Sequence, residues 1–184
     1  MTRIISGFAG SLTIAVPPKG TRPTSDRVRE AIFSSLEARD AIDGARVLDL
    51  YAGSGALGLE AASRGAAHVT LVEKHAAASA VCRKNAALLL KSAPQQLRIE
   101  VAATPVQTFL ASNTTPNDLV FIDPPYELGE AELAADLAAL SLTPGAVVLV
   151  ERSSRSPEPG WPAGLQPERS RQYGDTTLWW AIAE

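Results

Sequence analysis

The hydrophobic positions of this chain fall into short, nearly unbroken runs separated by longer amphipathic stretches. Val47-Leu48-Asp49-Leu50, Val69-Thr70-Leu71-Val72, Leu97 to Val101, Leu119-Val120-Phe121-Ile122 and Ala146 to Val150 read as five strands, buried on both faces. The segments between them carry helical patterns: one running through about Ser63, an alanine- and leucine-rich one from His75 to Leu90, a short one near Val106–Ala111, and one across Glu130–Leu140. This β-α-β-α alternation predicts an α/β fold with a doubly wound, mostly parallel sheet.

Both ends depart from that rhythm. Arg3 to Ser6 and Leu12 to Val16 are short β-like runs around Gly7 and Gly10, which predicts a small N-terminal hairpin. Pro17-Pro18-Lys19-Gly20 breaks the chain. Thr24 or Ser25 then caps a helix whose apolar face is Val28, Ala31, Ile32 and Leu36, with Asp26 complementing its dipole. At the other end, Arg169–Tyr173 and Thr176–Ala181 flank Gly174-Asp175, a two-residue hairpin signal. The expected organisation is a β-hairpin extension over residues 1–20 and one α/β domain over residues 21–184.

Composition narrows the chemistry. At 184 residues the chain is long enough for a substantial single core. One cysteine, Cys82, excludes a disulfide framework or a thiolate zinc cluster, and two histidines, His68 and His75, argue against a multi-histidine metal site. No apolar run approaches the roughly 18 residues a membrane span needs, and no charged-then-apolar leader opens the chain. The expectation is a cytoplasmic, metal-free monomer. Net charge is −3, but residues 1–30 carry +3 against −6 for the remainder. A basic front on an acidic body suits phosphate contact, with Arg3, Lys19, Arg22, Arg27 and Arg29 as the candidates; a solvated face is the plainer reading.

Two motifs carry the specific chemistry. The first is the loop Asp49-Leu50-Tyr51-Ala52-Gly53-Ser54-Gly55-Ala56-Leu57-Gly58, where Gly53, Gly55 and Gly58 fit G-x-G-x-x-G and Glu73 lies 20 residues after Gly53. Glycines let the backbone approach a ligand, and Glu73 can accept from ribose hydroxyls. Asp49 chooses between ligands. Its carboxylate would repel the pyrophosphate of NAD. It suits S-adenosylmethionine, which carries an ammonium and a sulfonium and no phosphate. The second motif is Asp123-Pro124-Pro125-Tyr126 at the end of the fourth strand. The prolines remove two donors and leave neighbouring carbonyls free to accept. Beside a carboxylate and a flat ring, they suit a planar heterocycle with an amino group, although Asp-Pro-Pro is also ordinary turn chemistry. The first and fourth strands are neighbours in a doubly wound sheet, so the two motifs should meet at the switch point.

Together these stretches resemble class I S-adenosylmethionine-dependent N-methyltransferases. More narrowly, Arg3-Ile4-Ile5-Ser6-Gly7, Arg22-Pro23-Thr24-Ser25-Asp26-Arg27-Val28-Arg29-Glu30 and Tyr51 to Ala61 resemble the RsmD family, whose members methylate the exocyclic N2 of a guanine in bacterial 16S ribosomal RNA. The resemblance implies a seven-stranded sheet with antiparallel terminal strands. It implies S-adenosylmethionine held around Asp49, Tyr51, Gly53, Ser54, Gly55, Glu73, Lys74 and Thr104, and a target amino group held by Asp123, Pro124, Pro125 and Tyr126. It also implies a ribosomal RNA partner, met within a small-subunit assembly. This chain departs from the family in having Ala9 and Ser11 where the hairpin usually carries arginines. It also has Ala102-Ala103-Thr104 where relatives place Asp or Asn near the adenine.

The expected mechanism follows from guanine chemistry. The amino lone pair is delocalised into the ring, so the base must be flipped out and its N–H groups accepted by Asp123 and the Pro124 carbonyl, with Tyr126 stacked on its face. Three rival readings use the same residues. They are a DNA adenine-N6 or cytosine-N4 methyltransferase, an NAD-dependent oxidoreductase, and a non-catalytic RNA-binding protein. Arg152, Arg155, Arg169 and Arg171 are further phosphate candidates in the tail, while Cys82 is expected in the core.

Overall fold

The computed structural model describes residues 1–18 and 24–184. A two-stranded antiparallel ribbon, β1 (Thr2–Arg3) with β2 (Thr13–Ile14), precedes helix α1 (Asp26–Ala38). The alternating body follows: β3 (Arg46–Leu50), α2 (Ala56–Ser63), β4 (His68–Val72), α3 (Ala76–Leu90), β5 (Arg98–Ala102), α4 (Val106–Ser112), β6 (Asn117–Ile122), α5 (Glu130–Ala138) and β7 (Leu142–Ser153). The hairpin β8 (Leu165–Tyr173) and β9 (Thr176–Ala183) completes the described chain.

The main sheet has the order β5-β4-β3-β6-β7-β9-β8. Strands β5 to β7 run parallel, while β9 is antiparallel to both β7 and β8. The seven-stranded sheet with an antiparallel hairpin is the architecture expected from the sequence. The chain winds outward from β3 in one direction and returns to β6 on its other side, so the switch point lies between β3 and β6.

Alternating side chains divide the core in two. Val47, Val69, Leu71, Phe121 and Leu149 face α1, α2 and α3. Leu48, Leu50, Val72, Val120, Ile122 and Val150 face α4 and α5. Both faces are covered, which is why these strands read as continuous apolar runs. Adjacent Trp179 and Trp180 divide between the two layers, as consecutive strand positions must.

Strand β7 is longer than the apolar run Ala146–Val150 indicates. Polar Glu151, Arg152 and Ser153 interrupt the pattern, yet β9 continues pairing them as far as Ser153↔Thr176. Arg152 is thereby withdrawn from the surface: it is buried, bonds the Glu130 carboxylate at 2.6 Å and donates to the Leu128 carbonyl at 3.0 Å. It is not available to phosphate.

The N-terminal ribbon is stitched onto α2. The fully buried Glu60 carboxylate accepts the Ile5 and Ser6 N–H groups at 2.8 and 3.0 Å, and Arg64 Nε at 2.9 Å. Ser63 Oγ accepts the Ala9 N–H at 3.0 Å. Gly7 is required here: its φ is +84°, and a Cβ would come within 1.8 Å of the Ser63 carbonyl oxygen.

Arg29 joins the same buried network. It donates to Asp26 at 2.7 Å, to the Arg3 carbonyl at 2.8 Å and to Thr2 at 3.1 Å, and it lies 3.9 Å from Glu60. The expectation that Arg29 faces phosphate is therefore corrected. At 1% exposure its guanidinium is an internal tie between α1, α2 and the ribbon. Arg3 and Arg27 remain exposed, whereas Lys19 and Arg22 lie outside the described residues.

Candidate active site

Strand β3 ends in a turn with unusual backbone geometry. Tyr51, Gly53 and Gly55 have φ of +60°, +60° and +82°. The two glycines take this conformation without strain, but Tyr51 does so at a cost. Its side chain is held: the hydroxyl donates to Asp136 on α5 and accepts from Gln107 Nε2 on α4 at 3.0 Å. Gln107 also donates to Asp136 at 3.0 Å. The Tyr51 hydroxyl is thus committed to the fold, and what it offers a ligand is its ring and backbone.

Asp49 is 1% exposed, and its Oδ2 accepts the Gly58 N–H at 2.9 Å. The carboxylate satisfies a donor in the first turn of α2, where the helix dipole favours negative charge. Burial pushes its pKa up to about 8; the Gly58 N–H opposes that and the Glu73 charge adds to it. Gly58 has a packing role, because a Cβ there would meet Leu71 Cδ2 at 2.4 Å and Asp49 Cβ at 3.2 Å. Its missing side chain lets α2 lie against β3 and β4.

Glu73 follows β4, and its two oxygens accept the Gly53 and His75 N–H groups, each at 2.9 Å. Lys74 beside it is exposed, and Thr104 is half-buried after β5. Helix α3 holds the outer side of the loop. Cys82 Sγ donates to the Gly53 carbonyl at 3.0 Å. Asn85 donates to the Ser54 and Ala15 carbonyls at 2.9 Å each and accepts the Ala15 N–H at 2.9 Å. Burial first, then the Asp49 and Glu73 charges, push the Cys82 thiol up to about 12, so it stays protonated and is no nucleophile. Asn85 gave no sequence signal, since a lone amide in an alanine-rich helix looks like surface.

The second motif leaves the neighbouring strand. Leu50 pairs with Ile122 across β3 and β6, so Tyr51 and Asp123 emerge side by side. Asp123 is half-buried, Pro124 buried and Pro125 exposed. Tyr126 is 72% exposed. The Asp123 carboxyl is held well above the usual carboxylate range by burial, then by the Glu151 charge, then by that of Asp49. Glu151 is itself raised by burial, opposed by the Thr24 hydroxyl that donates to it at 3.0 Å. Glu151 was missed in the sequence. Its signal was an acid closing an apolar strand, the same position Asp123 takes after β6.

Two open clefts, of about 510 and 230 Å³, lie elsewhere. They sit at the amino ends of the strands, near Asp118 and Thr143 in one and His68 and Asn113 in the other. Ligands of parallel α/β sheets bind at the carboxyl ends, so the glycine loop and Asp123 mark the functional edge.

Comparison with known proteins identifies the family. A family model described as Conserved hypothetical protein 95 matches residues 2–182. Ribosomal RNA small subunit methyltransferase D of Escherichia coli (strain K12) is 38% identical over 175 residues, covering 94% of this chain and 85% of that protein. The chain belongs to the RsmD family of methyltransferases. Another relative, the putative rRNA methyltransferase YlbH of Bacillus subtilis (strain 168), is 32% identical over 182 residues, 95% of each chain. Among solved structures, a putative methyltransferase, yhhF, from Escherichia coli superposes with a TM-score of 0.84 at 35% identity, over 99% of this chain and 97% of that one. No helix among the described residues of this RsmD-family chain is long and apolar enough to cross a membrane.

Proposed function

We propose that this chain transfers a methyl group from S-adenosylmethionine to the exocyclic N2 of a guanine in small-subunit ribosomal RNA. The observation that carries the reading is the pairing of Leu50 with Ile122, which opens the glycine loop and the Asp123 motif side by side on adjacent strands. The donor set fits a cationic, phosphate-free cofactor. Asp49 and Glu73 place two buried carboxylic groups under the loop, an arrangement that favours a cation and disfavours a pyrophosphate. Family membership and the relatives' names support the RNA substrate.

Glu73 takes the ribose hydroxyls, Gly53 and Gly55 let the backbone close on the ligand, and Thr104 meets the adenine end. When bound, the cofactor supplies a methyl group carried on a sulfonium. Asp123 and the Pro124 carbonyl accept the guanine N–H groups, which concentrates the lone pair on N2 and orients it. Tyr126 stacks on the base, a contact worth about 1–3 kcal/mol. Asp123 also offsets the positive charge that develops on nitrogen. Exposed Arg3 and Arg27 contact phosphates flanking the target.

The reading is tested on small ribosomal subunits from cells lacking this protein, incubated with labelled cofactor and digested for mass spectrometry. N2-methylguanosine is the expected product. N6-methyladenosine, N4-methylcytidine or no transfer would replace this reading with one of its rivals.

A further inference from the structure

Glu151 stands one strand away from Asp123 at the same level. Ile122 of β6 pairs with Val150 of β7, so the next residues, Asp123 and Glu151, leave adjacent parallel strands about 4.8 Å apart. Both follow the alternation set by Phe121 and Leu149, which face the α1 side of the sheet. From that side Thr24, just before α1, donates its hydroxyl to Glu151. The Glu151 charge acts on Asp123, helping to hold its carboxyl above the ordinary range.

Two acids held this close repel each other, and a neutral hydroxyl relieves little of that. A ligand presenting adjacent N–H donors, one to each acid, offsets more of it. Guanine has such an edge: N1–H and the N2 amino group lie side by side, three donors in a row. Adenine and cytosine carry an amino group next to a ring nitrogen lone pair. Against that lone pair a second carboxylate is repulsive, so it would select by exclusion as well as by attraction. Burial raises both acids, and N–H donors bound to them favour the ionised form, which accepts only; guanine stabilises that form where adenine and cytosine do not.

Resting on the guanine-N2 reading above, we propose that Glu151 is a specificity-determining residue that accepts the N1–H of the target guanine while Asp123 accepts its N2–H. Thr24 orients Glu151 for this contact. The chemistry that selects guanine is then split between two strands, β6 for the reacting amino group and β7 for its neighbour.

The test uses small-subunit particles reconstituted with RNA carrying either guanine or 2-aminopurine at the methylated position. 2-Aminopurine keeps the amino group and lacks N1–H. The wild-type chain should prefer guanine by at least about a hundredfold in kcat/KM, the scale on which a hydrogen-bonding site rejects an analogue lacking the donor. Glu151→Gln should lose about tenfold or more on guanine and lose nothing on 2-aminopurine, because its amide N–H can donate to the unprotonated N1. Cofactor affinity, measured by calorimetry, should stay within about twofold of wild type. An unchanged base preference in Glu151→Gln overturns the proposal. An equal loss on both bases also overturns it, and makes Glu151 an anchor for the start of α1. Should Glu151→Gln fail to bind cofactor, Thr24→Val decides: a narrowed preference supports the proposal and an unchanged one overturns it. If the wild-type chain leaves the guanine particles unmethylated, the underlying reading falls and this inference with it.

Discussion

Asp123, just past the end of β6, stands two rungs beyond Asp49 on the adjacent strand β3 and lies in its field. Asp49 is the register partner of Phe121, and Asp123 follows two positions later on the same side of β6. The Asp49 charge helps hold the Asp123 carboxyl above its ordinary range. The cradle expected to hold a cation and the motif expected to hold an amino group are therefore electrostatically one site.

Replacing Asp123 by Asn keeps the shape and removes the charge that offsets the developing cation. Turnover should fall about 10²–10³-fold, with S-adenosylmethionine affinity within about threefold of wild type. Single-turnover transfer and calorimetry check the two halves. Comparable losses in both would place Asp123 in the cofactor cradle instead.

Asp49 gives the cofactor site a pH signature. Its folded pKa is raised to about 8. Its contribution to stability is therefore complete below the ordinary value near 3.8 and is lost as pH rises through about 8. A cationic ligand reverses the preference by favouring the carboxylate. Binding should release a proton, and affinity should climb by up to about tenfold per pH unit toward pH 8 before levelling. Calorimetry in buffers of different ionisation enthalpy measures the released proton, and Asp49→Asn should abolish the release.

The two arginines of α1 should behave oppositely. Arg27 is exposed, so Arg27→Ala should weaken RNA binding and lower the salt slope by about one, with stability unchanged. Arg29 is buried against Asp26 and near Glu60, so Arg29→Ala should cost about 3–5 kcal/mol of stability. Thermal unfolding and salt-dependent RNA titrations separate them.

Gly58→Ala tests the packing of the glycine-loop helix. The added methyl meets Leu71 and Val69 side chains at 2.4 and 3.0 Å. Overpacking of this kind costs about 1–3 kcal/mol, and a chain of this size loses about 2–4 °C in melting temperature per kcal/mol. A variant that melts with wild type would show that α2 is free to shift.

The sequence made the sheet legible because its central strands are buried on both faces and so read as unbroken runs. It also singled out the glycine loop and Asp123, which the β3–β6 pairing brings side by side. It failed where tertiary pairing overrode local pattern. Glu151-Arg152-Ser153 looks like a loop, and only β9 makes it strand. Arg29 looks like any surface cation until the ribbon, α1 and α2 close around it. The Tyr51, Gln107 and Asp136 cluster joins three segments far apart in the chain, with no periodicity to announce it.

The most direct test is a crystal structure of the chain with S-adenosylmethionine and a guanosine oligonucleotide both bound. The guanine amino group should sit on Asp123, with its N2 about 3–3.5 Å from the transferable methyl carbon. A guanine seated on Asp123 but separated from that methyl by the glycine loop, with no clear line between them, would contradict it.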